Sequence, residues 1–193
     1  ILVCLVGSEM CIRDRTYPKN INFEFLGLEF MRLHQHGQGI ISRSKCSHSI
    51  EKHGFPFIIN KFLAEEFNNF QLTDFMFVRA KGFHGPYSSD SLSSDDYQEL
   101  DRKGIEKKIL NELKKTRLNT PQISDQVLTR FQYFIDVILN RPSICFCLNR
   151  SVTDKKNNLK FEHEWSHALN EYYEFIIFSL EADECFSIIL AYD

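Results

Sequence analysis

No stretch of this 193-residue chain is apolar for long enough to cross a bilayer, so no membrane-spanning segment is expected. A basic excess is missing too: 23 Lys and Arg face 26 Asp and Glu, a formal charge of −3. A nucleic-acid binder ordinarily displays a basic stripe, so nucleic acid is not an expected partner. Cysteine is sparse and irregularly placed. Cys46, Cys145, Cys147 and Cys185 follow no disulfide-framework spacing. With no secretion signal read upstream, they are expected to be reduced thiols in a cytoplasmic protein. The glycines form no phosphate-cradling pattern, no Ser-His-Asp order stands out, and no segment repeats. What the chain has in quantity is apolar material, 43% of residues, with 18 Phe. That is enough for the core of one ordinary domain.

The N-terminal residues stand apart. Cys4-Leu5-Val6-Gly7-Ser8-Glu9-Met10-Cys11-Ile12-Arg13-Asp14-Arg15 resembles, position for position, the translation of the transposase adapter used in tagmentation sequencing libraries. The resemblance implies that residues 1–15 are not native and that the domain is residues 16–193. Removing the segment leaves the charge at −3, because its two acids and two arginines cancel. A signal peptide is the competing explanation of apolar residues 1–6. It lacks a basic flank, a long enough apolar run and a small-residue cleavage site.

Periodicity lays out the rest. Residues 20–33 are dense in Phe and Leu and fit either a buried strand or a helix ending at Gly37. Residues 34–53 are polar and loop-like. Phe62, Leu63, Phe67 and Phe70 recur at helical spacing over residues 58–70. Residues 74–80 alternate as a short strand, and residues 81–96 form a Gly-, Pro- and Ser-rich loop. Asp95 with Gln98, or Asp96 with Glu99, offers a capping-box spacing for a helix over residues 96–116. Ile105, Ile109 and Leu113 face inward on it and Lys107, Lys108, Lys114 and Lys115 outward. Thr120 as cap and Pro121 in the first turn open a helix to residue 140, with an apolar stripe through Val127, Phe131, Phe134, Ile135 and Ile138. Residues 143–148 read as a strand, and residues 174–180 and 185–192 as a hairpin. The expected fold class is α+β, about three helices on a mostly antiparallel sheet built largely from the C-terminal third.

One motif carries recognisable chemistry. His163-Glu164-Trp165-Ser166-His167 matches H-E-x-x-H. On a helix the two imidazoles lie one turn apart and can bind one zinc ion, with the glutamate as base toward zinc-bound water. With Phe161 before it and Ala168-Leu169 after it, the segment resembles the metallopeptidase helix of the zincins. That resemblance implies zinc as cofactor, His163 and His167 as ligands and Glu164 as general base. Lys160 departs from the family pattern, and Tyr173 stands where a metzincin has its third histidine. Glu181 and Glu184 are the candidate third ligands. Glu171 would lie roughly 12 Å along the helix axis from His163, too far to share the site. The same residues also alternate perfectly as a strand, which would set the two histidines roughly 13 Å apart and preclude one shared metal.

The other constellations are plainer. Cys46, His48 and His53, with His34 and His36 near them, match no zinc knuckle and read as a polar loop. Cys145 and Cys147 alternate on a strand as buried neutral thiols. The glycines around His84 (Lys81 to Tyr87) read as a plain connection. The leading expectation is therefore a non-enzymatic α+β domain, an accessory or protein-binding module without a cofactor. A zinc metallopeptidase or metallohydrolase is the alternative. The Phe-rich run from Phe23 to Phe30 is either core or a partner surface.

Overall fold

A computed structural model describes residues 21–73, 76–117, 121–150 and 169–193. The backbone of the centre is a six-stranded, wholly antiparallel sheet. In chain order its strands are β1 (Phe23–His34), β2 (Gly37–Cys46), β7 (Tyr97–Leu100), β8 (Ser143–Leu148), β9 (Glu171–Ser179) and β10 (Glu184–Tyr192), and across the sheet they run β1-β2-β10-β9-β8-β7. A four-stranded sheet, β4-β3-β5-β6, is built from β3 (Phe70–Thr73), β4 (Met76–Arg79), β5 (Phe83–Gly85) and β6 (Tyr87–Ser88). Three α-helices lie among the described residues: α1 (Phe55–Leu63), α2 (Arg102–Lys114) and α3 (Asp125–Leu139). The α+β expectation holds, and three of the six central strands come from the C-terminal third.

Successive residues on a strand point to opposite faces, and here both faces are covered. Ile176 and Phe178 of β9 pack on Ile58 and Phe62 of α1 and on Phe70 and Leu72 of β3. Phe175 and Ile177, one residue out of phase, pack on Ile105 and Ile109 of α2 and on Phe131 and Ile135 of α3. Burial on two sides explains why β9 and β10 read as nearly unbroken apolar runs instead of alternating ones.

Several boundaries differ from the sequence expectations, each for a tertiary reason. Residues 34–53 are not a loop: β2 occupies their middle, hydrogen-bonded to β1 on one side and β10 on the other. Its glycines are packing residues. A Cβ on Gly39 would lie 2.6 Å from a ring carbon of Phe131, so α3 occupies the space a side chain would need. Helix α1 stops at Leu63, and Phe67 and Phe70 belong to a 3-10 turn (Glu66–Asn68) and to β3. Residues 97–100 form β7 rather than the first turn of a helix, because they pair with β8. Helix α2 then starts at Arg102 with Asp101 as its cap, the Asp101 carboxylate accepting from the Gly104 amide at 2.8 Å. Helix α3 starts four residues past Pro121, capped by Ser124, while Thr120 lies outside the described residues. Residues 20–33 resolve as a strand, β1, from Phe23 onward.

Candidate functional site

The densest polar chemistry among the described residues is buried, on the sheet face that meets α1 and the small sheet. Glu174, on β9, is fully buried, and four side chains converge on its carboxylate. His84 Nε2 donates to Oε2 at 2.8 Å, the Tyr97 hydroxyl at 3.0 Å and the Tyr172 hydroxyl at 3.3 Å. The Ser187 hydroxyl donates to Oε1 at 3.1 Å. The other nitrogen of His84, Nδ1, lies 2.9 Å from the carbonyl oxygen of Asn68. With Glu174 ionised both of its neighbours are acceptors, and His84 then carries a proton on each ring nitrogen, as an imidazolium.

The electrostatics agree. Burial works against the charged imidazole, but the Glu174 carboxylate overcomes it and holds the His84 pKa above its ordinary 6.5. Burial likewise raises the Glu174 carboxyl, and His84 more than offsets it, leaving that pKa below the ordinary 4.5. Burial, then the Glu174 charge, push the phenols of Tyr97 and Tyr172 up, so both stay neutral donors. In this arrangement the Glu174 carboxylate is surrounded by donors and both ring nitrogens of His84 are hydrogen-bonded. The cluster is a bolt between the two sheets. The turn that delivers His84 fits tightly over it: Gly85 has φ +60°, and a Cβ there would lie 2.7 Å from the Tyr172 ring.

An opening to solvent with a mostly apolar lining lies on the other face, where the edge strand β1 meets α3. A cavity of about 390 Å³ is floored by Ile41 and Phe186 and walled by Leu26, Phe134, Val137 and Ile138. Arg43, Arg141 and Glu184 line its charged end. Arg43 sits on β2, opposite Gly27 of β1 and Phe186 of β10. Its guanidinium pairs with Glu184 Oε1, and Arg141 Nη1 stands 3.7 Å from Glu184 Oε2. The Glu184 side chain is 10% exposed and each arginine 51%. Leu26 and Leu28 of its lining, and Phe25 and Phe30 beyond it, leave 38–44% of their surface in water. Among the described residues β1 pairs with β2 only, so its outer edge is open.

The sequence-predicted site residues scatter. His163, Glu164 and His167 lie outside the described residues. Of the suggested third zinc ligands, Glu181 is exposed in the β9–β10 turn and Glu184 is bracketed by the two arginines of the cavity. Tyr172 and Ile176, downstream of the motif, are both on β9. Glu171 is also on β9. Burial raises its carboxyl, but Arg117, which donates to it at 2.8 Å, and Tyr173 draw it below the ordinary 4.5. Cys46, Cys145, Cys147 and Cys185 are free and buried, and burial raises the Cys145 thiol to about 11. Among the described residues no group of three His, Cys, Asp or Glu could hold a metal ion. No described helix is long and apolar enough to cross a membrane.

Sequence reasoning missed the Glu174–His84 pair and the arginine-lined cavity. A signal for the first was present: Glu174 falls in phase with Tyr172, Ile176 and Phe178, so a buried strand had to bury a carboxylate with them. Arg43 was hidden inside the segment read as loop. No family model, curated protein or solved structure matches the chain.

Proposed function

We propose that this protein is a protein-binding module that receives an extended segment of its partner along the outer edge of β1, with partner side chains entering the cavity between β1 and α3. The observation that carries it is the condition of β1 itself. Native proteins blunt an exposed edge with shortness, charge, proline or cover. Past Phe23, whose amide donates to Glu65, this edge runs to His34 and presents Phe25, Leu26, Leu28 and Phe30 to solvent. Two register irregularities, between Phe25 and Gly27 and between Arg32 and His34, interrupt it. An added strand gains affinity from main-chain hydrogen bonds and specificity from pockets that receive alternate side chains. The cavity is of the size and apolar character ordinary for a recognition pocket.

Selection of dodecapeptides from a displayed random library on the chain tests the proposal, with affinities read by fluorescence anisotropy. Peptides that bind the chain and fail to bind the Leu28→Lys/Phe30→Lys double variant are the expected result. Both side chains are more than a third exposed, so the variant should keep its thermal midpoint within a few degrees. Failure to enrich any peptide, or binding indifferent to the double variant, refutes docking at this edge.

A further inference from the structure

Resting on the docking surface just proposed, we infer that the partner segment carries a glutamate or aspartate side chain that seats against Arg43 and Arg141 at the charged end of the cavity. Three observations lead there. The first is the pairing at one end of the groove, away from Glu29, the other carboxylate of the lining, which pairs with Arg130. Two guanidiniums share one carboxylate, Glu184, and among the described residues no other carboxylate pairs with either arginine. The second is open donor capacity. Arg141 contacts Glu184 only at 3.7 Å, beyond hydrogen-bonding distance, and Arg43 uses one donor on it. A guanidinium presents five donors in a planar fork suited to bidentate carboxylate recognition, and both forks are half-exposed. The third is access. The β1 residue opposite Arg43 is Gly27, so no side chain stands between the open edge and the guanidinium on the next strand. An added strand would run roughly 10 Å from β2, two strand spacings, and an acidic side chain and an arginine reaching toward each other close such a gap.

The same features argue against a polyanionic occupant. The walls are Leu, Phe, Val and Ile, Glu184 stands at the charged end, Glu29 also lines the cavity, and the whole chain carries −3. A phosphate backbone would meet apolar wall and repulsion everywhere but at two arginines.

The library selection supplies the test. Peptides that bind through the β1 edge should carry an acidic residue flanked by apolar ones. Replacing that residue by its amide should weaken binding to the chain ten-fold or more. The same replacement should change little when measured against Arg43→Gln/Arg141→Gln. Arg141→Gln alone leaves the Arg43–Glu184 pair intact, so it keeps the comparison readable if the double variant unfolds; it should recover a large part of the loss. Edge-dependent peptides whose amide versions bind equally well overturn the carboxylate assignment while leaving the docking surface standing. A selection that yields no edge-dependent peptide removes the docking surface and this inference with it. Light scattering covers the remaining occupant. A dimer that Leu28→Lys/Phe30→Lys dissolves and Arg43→Gln/Arg141→Gln does not would identify a second copy at the edge, and would overturn the inference.

Discussion

Glu174 is the residue on which most depends. Its charge is fully desolvated, and what compensates it comes from the small sheet (His84), from β7 (Tyr97), from β10 (Ser187) and from its own strand (Tyr172). Removing one partner of a buried pair strands the other charge, which costs about 3–5 kcal/mol. Glu174→Gln does this and also sets an amide NH2 among groups that all donate. Urea unfolding should show a loss in that range. The pH dependence has two limbs of opposite origin. Glu174 has a depressed native pKa, so its contribution is present above its ordinary 4.5 and is lost as pH falls through the native value. His84 has a raised native pKa, so its contribution is complete below 6.5 and is lost as pH rises through the native value. Stability from the pair should therefore be greatest between those limbs. In Glu174→Gln the alkaline limb should vanish, because His84 loses the charge that held its proton. An alkaline limb unchanged in the variant would mean that another group titrates there. From sequence, the carboxylate on a buried phase of β9 was legible. Its partner was not, since His84 is ninety residues away and nothing in the glycine-flanked turn around it announces which buried acid it meets.

At the scale of elements, the type of structure was read more reliably than its ends. The apolar stripes of α2 and α3 are where periodicity puts them, but their caps belong to Asp101 and Ser124 rather than to Asp95, Asp96 or Thr120. Neither Asp95 with Gln98 nor Asp96 with Glu99 caps a helix; the capping box there is another pair, Ser93 with Asp96, which closes a single 3-10 turn before β7. Local signals of this kind are short-range, and strand pairing with β8 decided that residues 97–100 extend. Asp101→Ala and Ser124→Ala should each cost about 1 kcal/mol, read from chemical denaturation. No loss on either substitution would mean that the observed helix starts are not where the caps act. Strand β2 makes the complementary point. Gly37-Gln38-Gly39 resembles a loop because glycine is read as flexibility, whereas here the missing side chains admit Tyr192 and Phe131. A methyl group at Gly39 must displace an aromatic ring that is itself fully buried. Gly39→Ala should therefore destabilise by about 1–3 kcal/mol. A solvent-exposed loop glycine would respond by a few tenths or gain stability.

The whole molecule is organised by strands that belong to two cores at once. Because β8, β9 and β10 bury alternate residues against α1 and the small sheet on one side and against α2 and α3 on the other, neither layer can be lost without exposing the strands that hold its counterpart. Such sharing predicts one cooperative transition rather than two. The cysteines report on both sides without any substitution: Cys46 and Cys185 lie in the layer toward α1, Cys145 and Cys147 in the layer toward α2 and α3. All four are buried thiols, and burial raises the pKa of each, so none should react before its surroundings open. Pulsed alkylation along a urea series, read peptide by peptide by mass spectrometry, should give one midpoint for all four, coincident with loss of far-ultraviolet circular dichroism. The edge carrying β1 and α3 should behave otherwise toward ligand. A peptide that adds a strand to β1 becomes a seventh member of the sheet and binds only the native state, so it should raise the shared midpoint of both cysteine pairs together. Two separate midpoints, or protection by peptide of one pair alone, would show the layers to be independent units rather than one cooperative one.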